Sequence, residues 1–105
     1  MQEIKIDDHG TKYYYWNGNL HREDGPAVEY ANGYKAWYRH GLRHREDGPA
    51  REYSDGLKEW YLHNKLHRED GPAIDQANGY KHWYLQGKKY SKKEYWRMVK
   101  LQALW

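Results

Sequence analysis

The string His21-Arg22-Glu23-Asp24-Gly25-Pro26-Ala27 returns unchanged at His44–Ala50 and at His67–Ala73, each time 23 residues further on. A repeat this faithful points to tandem architecture, in which each unit buries its apolar surface against its neighbours. Two further markers keep the same period on either side of the string. Gly10, Gly33, Gly56 and Gly79 each stand two residues before a Lys and four and five before an aromatic pair. Those pairs are Tyr14-Tyr15, Trp37-Tyr38, Trp60-Tyr61 and Trp83-Tyr84. The last marker is Gly18, Gly41, Asn64 and Gly87. About three and a half copies therefore run between residues 10 and 90, within a single domain that spans residues 1–105.

The unit is too short for a crossover between parallel strands, and it lacks the apolar spacing of a helix. Asn32-Gly33, Asp55-Gly56 and Asn78-Gly79 are strong hairpin dipeptides. They predict type I′ turns, with positive φ at both central residues. His40-Gly41 and Gln86-Gly87 are weaker versions at the other end of the hairpin. Asn64 stands there in the third copy, and Asn tolerates the left-handed region better than other residues with a side chain. Asp-Gly-Pro inside the repeated string marks a loop, since proline cannot donate to a ladder. Each unit thus reads as two strands, residues 34–39 and 50–53 and their equivalents, joined by His-Arg-Glu-Asp-Gly-Pro. The predicted fold is mainly β: tandem antiparallel hairpin repeats forming a long twisted sheet. Residues 91–105 end the chain differently. Ser91-Lys92-Lys93-Glu94 has the form of a capping box, and Tyr95, Met98, Val99, Gln102 and Trp105 follow at helical spacing. The segment predicts an amphipathic helix over 92–104 that caps the array.

Composition narrows both the core and the chemistry. There are 12 Tyr and 6 Trp but no Phe, and aliphatic residues are scarce, so amphipathic rings must supply most of the buried surface. The absence of Cys excludes disulfides, thiolate zinc sites and cysteine nucleophiles. The N-terminal MQEIKIDDHG lacks a basic-then-apolar run, so no signal peptide is expected, and a cytoplasmic location fits. No stretch is apolar enough for a membrane span. The net charge of +3 is local: Lys88, Lys89, Lys92, Lys93, Arg97 and Lys100 face only Glu94 near the C-terminus, while the repeats are slightly acidic.

The pattern Trp-Tyr-x-x-Gly-x-x-His-Arg-x-Asp-Gly-Pro-Ala, then five residues, then Gly, resembles a variant of the MORN repeat (membrane occupation and recognition nexus). Gly33-Tyr34-Lys35-Ala36-Trp37-Tyr38-Arg39-His40-Gly41 carries the closest likeness, and the resemblance covers residues 10–90. The His-Arg-x-Asp-Gly-Pro-Ala segment departs from the plain pattern, which has Gly-x-Gly near that place. It is similar to the form common in bacteriophage and bacterial proteins, antitoxin-type proteins among them. The resemblance implies an elongated hairpin sheet used as a recognition surface, with no catalytic residues and no cofactor.

Each chemical constellation has a plainer structural reading. His21, His44 and His67 invite a metal, but equivalent residues one unit apart lie about two strand spacings, roughly 9.5 Å, from one another. Zinc requires all its ligands within about 2.1 Å of one point. These histidines and their arginines are instead expected to pair with Glu or Asp of the same or the next unit. The repeated charges suggest no active site either, because catalysis needs one converging place. Alternation puts Tyr14, Trp37, Trp60 and Trp83 on one face and Tyr15, Tyr38, Tyr61 and Tyr84 on the other. One ladder is expected to form a spine and the other to stay partly open to a partner.

The expected function is therefore non-enzymatic protein binding. On the family analogy, the chain would be a small inhibitor of a partner enzyme or complex, such as a phage anti-defence protein (an anti-CRISPR) or an antitoxin. The alternative is nucleic-acid binding through the basic helix and the aromatic ladder. Attachment to a membrane surface through that helix would be weak, and a homodimer stays open. Positions that differ between units are the ones free to serve a partner. Arg39, Arg51, Glu59 and His82 are the candidates, beside the repeated Tyr38 and Tyr61, with Lys92, Lys93 and Arg97 as a second, electrostatic site.

Overall fold

A computed structural model of the chain describes residues 1–102. Residues 103–105, which the helical spacing assigns to the C-terminal helix, lie outside the described residues. The chain opens with β1 (Gln2–Ile6), β2 (Lys12–Trp16) and β3 (Asn19–Leu20). β4 (Val28–Glu29), β5 (Lys35–Ala36), β6 (Tyr38–Arg39), β7 (Leu42–Arg43) and β8 (Arg51–Glu52) follow. Next come β9 (Lys58–Glu59), β10 (Tyr61–Leu62), β11 (Lys65–Leu66) and β12 (Ile74–Asp75). β13 (Lys81–Leu85), β14 (Lys88–Tyr90) and α1 (Lys92–Gln102) close the chain. The order β1-β2-β4-β5-β8-β9-β12-β13-β14 makes one sheet, with β3 paired to β2. All its pairs are antiparallel, as the hairpin turns require. The extents are 46 × 32 × 18 Å, so the sheet is thin and every element lies near water.

The strand expected over 34–39 is not continuous. It breaks at Trp37, whose N–H donates to the Ala50 carbonyl at 2.7 Å and whose own carbonyl accepts the His44 N–H at 3.1 Å. The chain then leaves the main sheet, and β6 pairs with β7, a short strand that the sequence reading did not assign, just before the linking string. β10 and β11 repeat this arrangement after Trp60. These small hairpins form a second row. Gly41 N–H donates to the Leu20 carbonyl, Asn64 N–H to Arg43 and Gly87 N–H to Leu66, at 2.7–2.8 Å.

The turn expected at Asn-Gly and Asp-Gly differs from the one found, while the weaker dipeptides at the other end do form type I′ turns. At Asn32-Gly33, Asp55-Gly56 and Asn78-Gly79 only the glycine has positive φ, at 99°, 92° and 95°. Gly33 N–H donates to the Tyr30 carbonyl and Tyr30 N–H to the Tyr34 carbonyl. The Asn32 side-chain oxygen accepts the Tyr34 N–H at 3.0 Å. This is a type I turn followed by a left-handed residue, the three-residue hairpin loop. The type I′ turns lie at the other end. His40 and Gly41 have φ of 49° and 82°, and His63 and Asn64 have 46° and 68°. There the strands close directly, Arg39 opposite Leu42, and a two-residue loop must match the twist of both.

Ala27, Ala36, Ala50, Ala73, Val28 and Leu85 are buried, so small side chains let the thin layers approach closely. Helix α1 begins at Ser91, whose hydroxyl accepts the Glu94 N–H at 3.2 Å. It packs on β13 and β14. Its Tyr95 is fully buried, accepts the Gly71 N–H and donates to the Arg68 carbonyl. The helix thereby closes the last repeated loop, the cap that the array was expected to carry. It is also too short and too polar to cross a membrane, and no described helix is long and apolar enough to do so.

Candidate functional site

The repeated loops hold their arginines by internal contacts. The Arg45 guanidinium lies 3.9 Å over the Trp37 ring. It donates to Asp47 and to the Pro49 carbonyl at 3.0 Å, and to Glu52 at 3.1 Å. Arg22 does the same over Tyr14, towards Asp24, the Pro26 carbonyl and Glu29. Arg68 lies over Trp60, bonds Asp70 and the Pro72 carbonyl, and faces Asp75 at 3.7 Å. The glycine of each loop makes room for this group: a Cβ on Gly48 would stand 2.9 Å from Arg45 Cζ. Burial lowers the Arg22 pKa, but the bond to Asp24 and the Tyr14 and Glu29 neighbours outweigh it, and the net shift is upward.

The histidines tie one unit to the next. Nδ1 of His21, His44 and His67 accepts the backbone N–H of His40, His63 and Gln86, each at 2.9 Å. The neutral ring therefore carries its hydrogen on Nε2, which faces Glu23, Glu46 and Glu69 at 3.6–3.8 Å. The expected pairing with carboxylates is thus the looser of two contacts, and a backbone amide holds the other nitrogen. Burial, then the neighbouring His40 or His63 ring, pushes the His21 and His44 pKa values down. Among the described residues no group of three or more His, Asp or Glu is placed to hold a metal.

Across the sheet, register sorts the two faces. One row runs Lys12, Glu29, Lys35, Glu52, Lys58, Asp75, Lys81, with sign alternating at every step. Opposite charges directly across a pair stabilise it. The other row runs Tyr13, Val28, Ala36, Arg51, Glu59, Ile74, His82. Every position in this second row differs from its equivalents in the other units.

At the centre of that row Arg51 donates to the Tyr34 hydroxyl at 2.9 Å and faces Glu59 at 3.6 Å. Tyr53 donates to Glu59 at 3.2 Å. The Tyr34 and Tyr53 rings are 5.0 Å apart, and Tyr30 meets Tyr34 edge-on at the same distance. Burial, then the Glu59 carboxylate, pushes the Tyr53 pKa up to about 12. Burial opposes charge on Arg51, but the Tyr34 bond and the surrounding tyrosines prevail and shift its pKa upward. His82 stands edge-on to the exposed Tyr80.

The structure brings Arg51, Glu59 and His82 together on one row. Arg39 is exposed on β6 and Tyr38 half-buried there, both in the row of small hairpins. Tyr61 is only 8% exposed, with Arg43 stacked 4.2 Å above its ring and bonded to its hydroxyl. Arginines cover Tyr14, Trp37 and Trp60 on one ladder; on the other an arginine covers Tyr61, while Tyr15, Tyr38 and Tyr84 are half-buried. Lys92, Lys93 and Arg97 are exposed on α1, which packs against β13, the strand that carries His82. The rings that surround Arg51 were missed. Tyr30 and Tyr53 follow Val28 and Arg51 by two residues, so strand alternation alone places them on this face. Comparison with known protein families, curated proteins and solved structures finds no match to this chain.

Proposed function

We propose that the chain is a binding module of the MORN-repeat type, without catalytic chemistry of its own, that docks one partner protein on the Tyr13–His82 face. One observation carries this reading: a single cross-strand row is built entirely of positions that vary between otherwise equal units. Tyr30, Tyr34, Tyr53 and Tyr80 give it rigid amphipathic area, which orders at little entropic cost on binding. Arg51 and Glu59 supply a fixed, charge-neutral polar centre, which suits a mixed protein surface better than a phosphate backbone. A small chain that covers a partner in this way acts as an inhibitor, in line with the antitoxin-like form of the repeat.

A second reading rests on Lys88, Lys89, Lys92, Lys93, Arg97 and Lys100, all exposed on β14 and α1. Such a cluster attracts nucleic acid. One capture experiment separates the two. The wild type, Arg51→Ile/Glu59→Ala and Lys92→Glu/Lys93→Glu are immobilised and exposed to host lysate with and without nuclease, and mass spectrometry reads the bound proteins. Capture lost only in the Arg51/Glu59 variant supports the proposed face. Nuclease-sensitive capture lost only in the helix variant overturns it in favour of nucleic acid.

A further inference from the structure

Strand β1 ends the sheet order, and all five of its residues are exposed. Asp7 N–H donates to the Thr11 carbonyl and Asn17 N–H to the Met1 carbonyl, so odd-numbered residues of this segment bond towards β2. Ile4 lies opposite Tyr14, whose N–H and carbonyl are engaged on the other side by Ala27 and His21. The antiparallel alternation then turns the N–H and carbonyl groups of Gln2, Ile4 and Ile6 outward. Proteins ordinarily protect such an edge with proline, a bulge or a cover. Gln2-Glu3-Ile4-Lys5-Ile6 has no proline, pairs with β2 residue for residue, and exposes Ile4 by 56% and Ile6 by 63%.

Lys5 is the one residue that resembles a guard against edge pairing. Its effect depends on what lies opposite. When two such strands meet antiparallel and centred on Ile4, Glu3 of each stands across from Lys5 of the other. Gln2 faces Ile6, and Ile4 faces itself. The three outward pairs are the hydrogen-bonded ones, and the two charged pairs occupy the closer, non-bonded positions, where side chains interact most. We infer that the β1 edge is a self-complementary interface: a second copy of this chain adds to it antiparallel, with Ile4 on the two-fold axis, and the two sheets join into one. The register is set by opposite charges and leaves no outward backbone group of Gln2, Ile4 or Ile6 unpaired. An isologous contact of this kind closes after two copies. It lies at the edge of the sheet, away from Arg51 and Glu59 at its centre, so either surface can fail without the other.

Sedimentation equilibrium on the intact chain, from about 10 μM to about 1 mM, spans the affinity range of a small interface. The wild type is expected to pass from monomer to dimer. Ile4→Pro removes an outward N–H without touching a bond to β2, and should weaken the dimer by at least about tenfold. Glu3→Lys and Lys5→Glu each place like charges in register and should weaken it as well. An equimolar mixture of these two variants should form a heterodimer, since every charged pair is then complementary; this arm needs no proline. A wild type that stays monomeric throughout overturns the inference. So does a dimer that persists in Ile4→Pro and both charge variants.

Discussion

The His-Arg-Glu-Asp-Gly-Pro-Ala loops and the row from Tyr13 to His82 are carried by the same short strands, but they use their side chains differently. In the loops, each arginine stacks on its ring and bonds the aspartate and the proline carbonyl, three times over. In the row, the bonded group of Tyr34, Arg51, Tyr53 and Glu59 occurs once, and Val28 and Ile74 hold the places equivalent to Arg51. Repeated residues serve contacts that every unit needs for its own closure. A contact made once is free of that requirement and open to another use.

The sharpest way to break this comparison is to remove a loop arginine. Arg45→Ala takes away a stacked cation and charged hydrogen bonds, and leaves Glu52 half-buried without its partner. Chemical denaturation should show a loss of about 2–4 kcal/mol. A loss below about 0.5 kcal/mol, typical of an ordinary surface change, would mean that the loops are not the frame.

A turn substitution should have a somewhat smaller effect. A Cβ on Gly56 would meet nothing within 4 Å, so only its φ of 92° resists a side chain. Gly56→Val is expected to cost about 1–3 kcal/mol by denaturation. An unchanged midpoint would show that this turn does not need the left-handed residue.

Acid probes the histidine links. In the folded chain the His21 and His44 pKa values lie below their ordinary value of 6.5. As pH falls through about 6.5 the unfolded chain takes up protons first, so stability present above that pH is lost below it. Each histidine contributes a slope of at most about 1.4 kcal/mol per pH unit. Asn offers an oxygen to the His63 N–H without titrating, so melting of His44→Asn should depend less steeply on pH between 7 and 5 than melting of the wild type. Equal slopes would remove His44 from the account.

The smallest expected effect is on the stability of the row itself. Arg51→Ile/Glu59→Ala exchanges a paired charge for the kinds of residue that neighbouring units hold there. Such exchanges are often neutral, so the melting midpoint should correspond to a change within about 1 kcal/mol. A collapse of the fold would show that the pair is structural and that its single occurrence says nothing about a partner.

Much of this was legible from residues 21–27 and their copies. The period, the β class, the need for glycine at Gly33, Gly56 and Gly79, and the helix start at Ser91 all follow from local chemistry. The turn type at Asn32-Gly33, Asp55-Gly56 and Asn78-Gly79 did not, because an x-Gly dipeptide suits either of two loops and the pairing of the flanking strands selects between them. Nor did the break at Trp37, since Tyr34–Arg39 reads as one run of strand formers. Tyr61 looked available because Arg43, which covers it, belongs to the preceding unit.

The sequence by itself determined that this is a β array of identical loops and differing strands, because repetition and turn residues are local properties of the chain. Only the tertiary structure decided where those differences meet. Tyr13, the Arg51–Glu59 hairpin and His82 lie far apart along the chain, and antiparallel register places them on one line. It also decided what holds the histidines. Their partner is a backbone amide of the next unit, a group that every residue but proline possesses and that no side-chain pattern can announce.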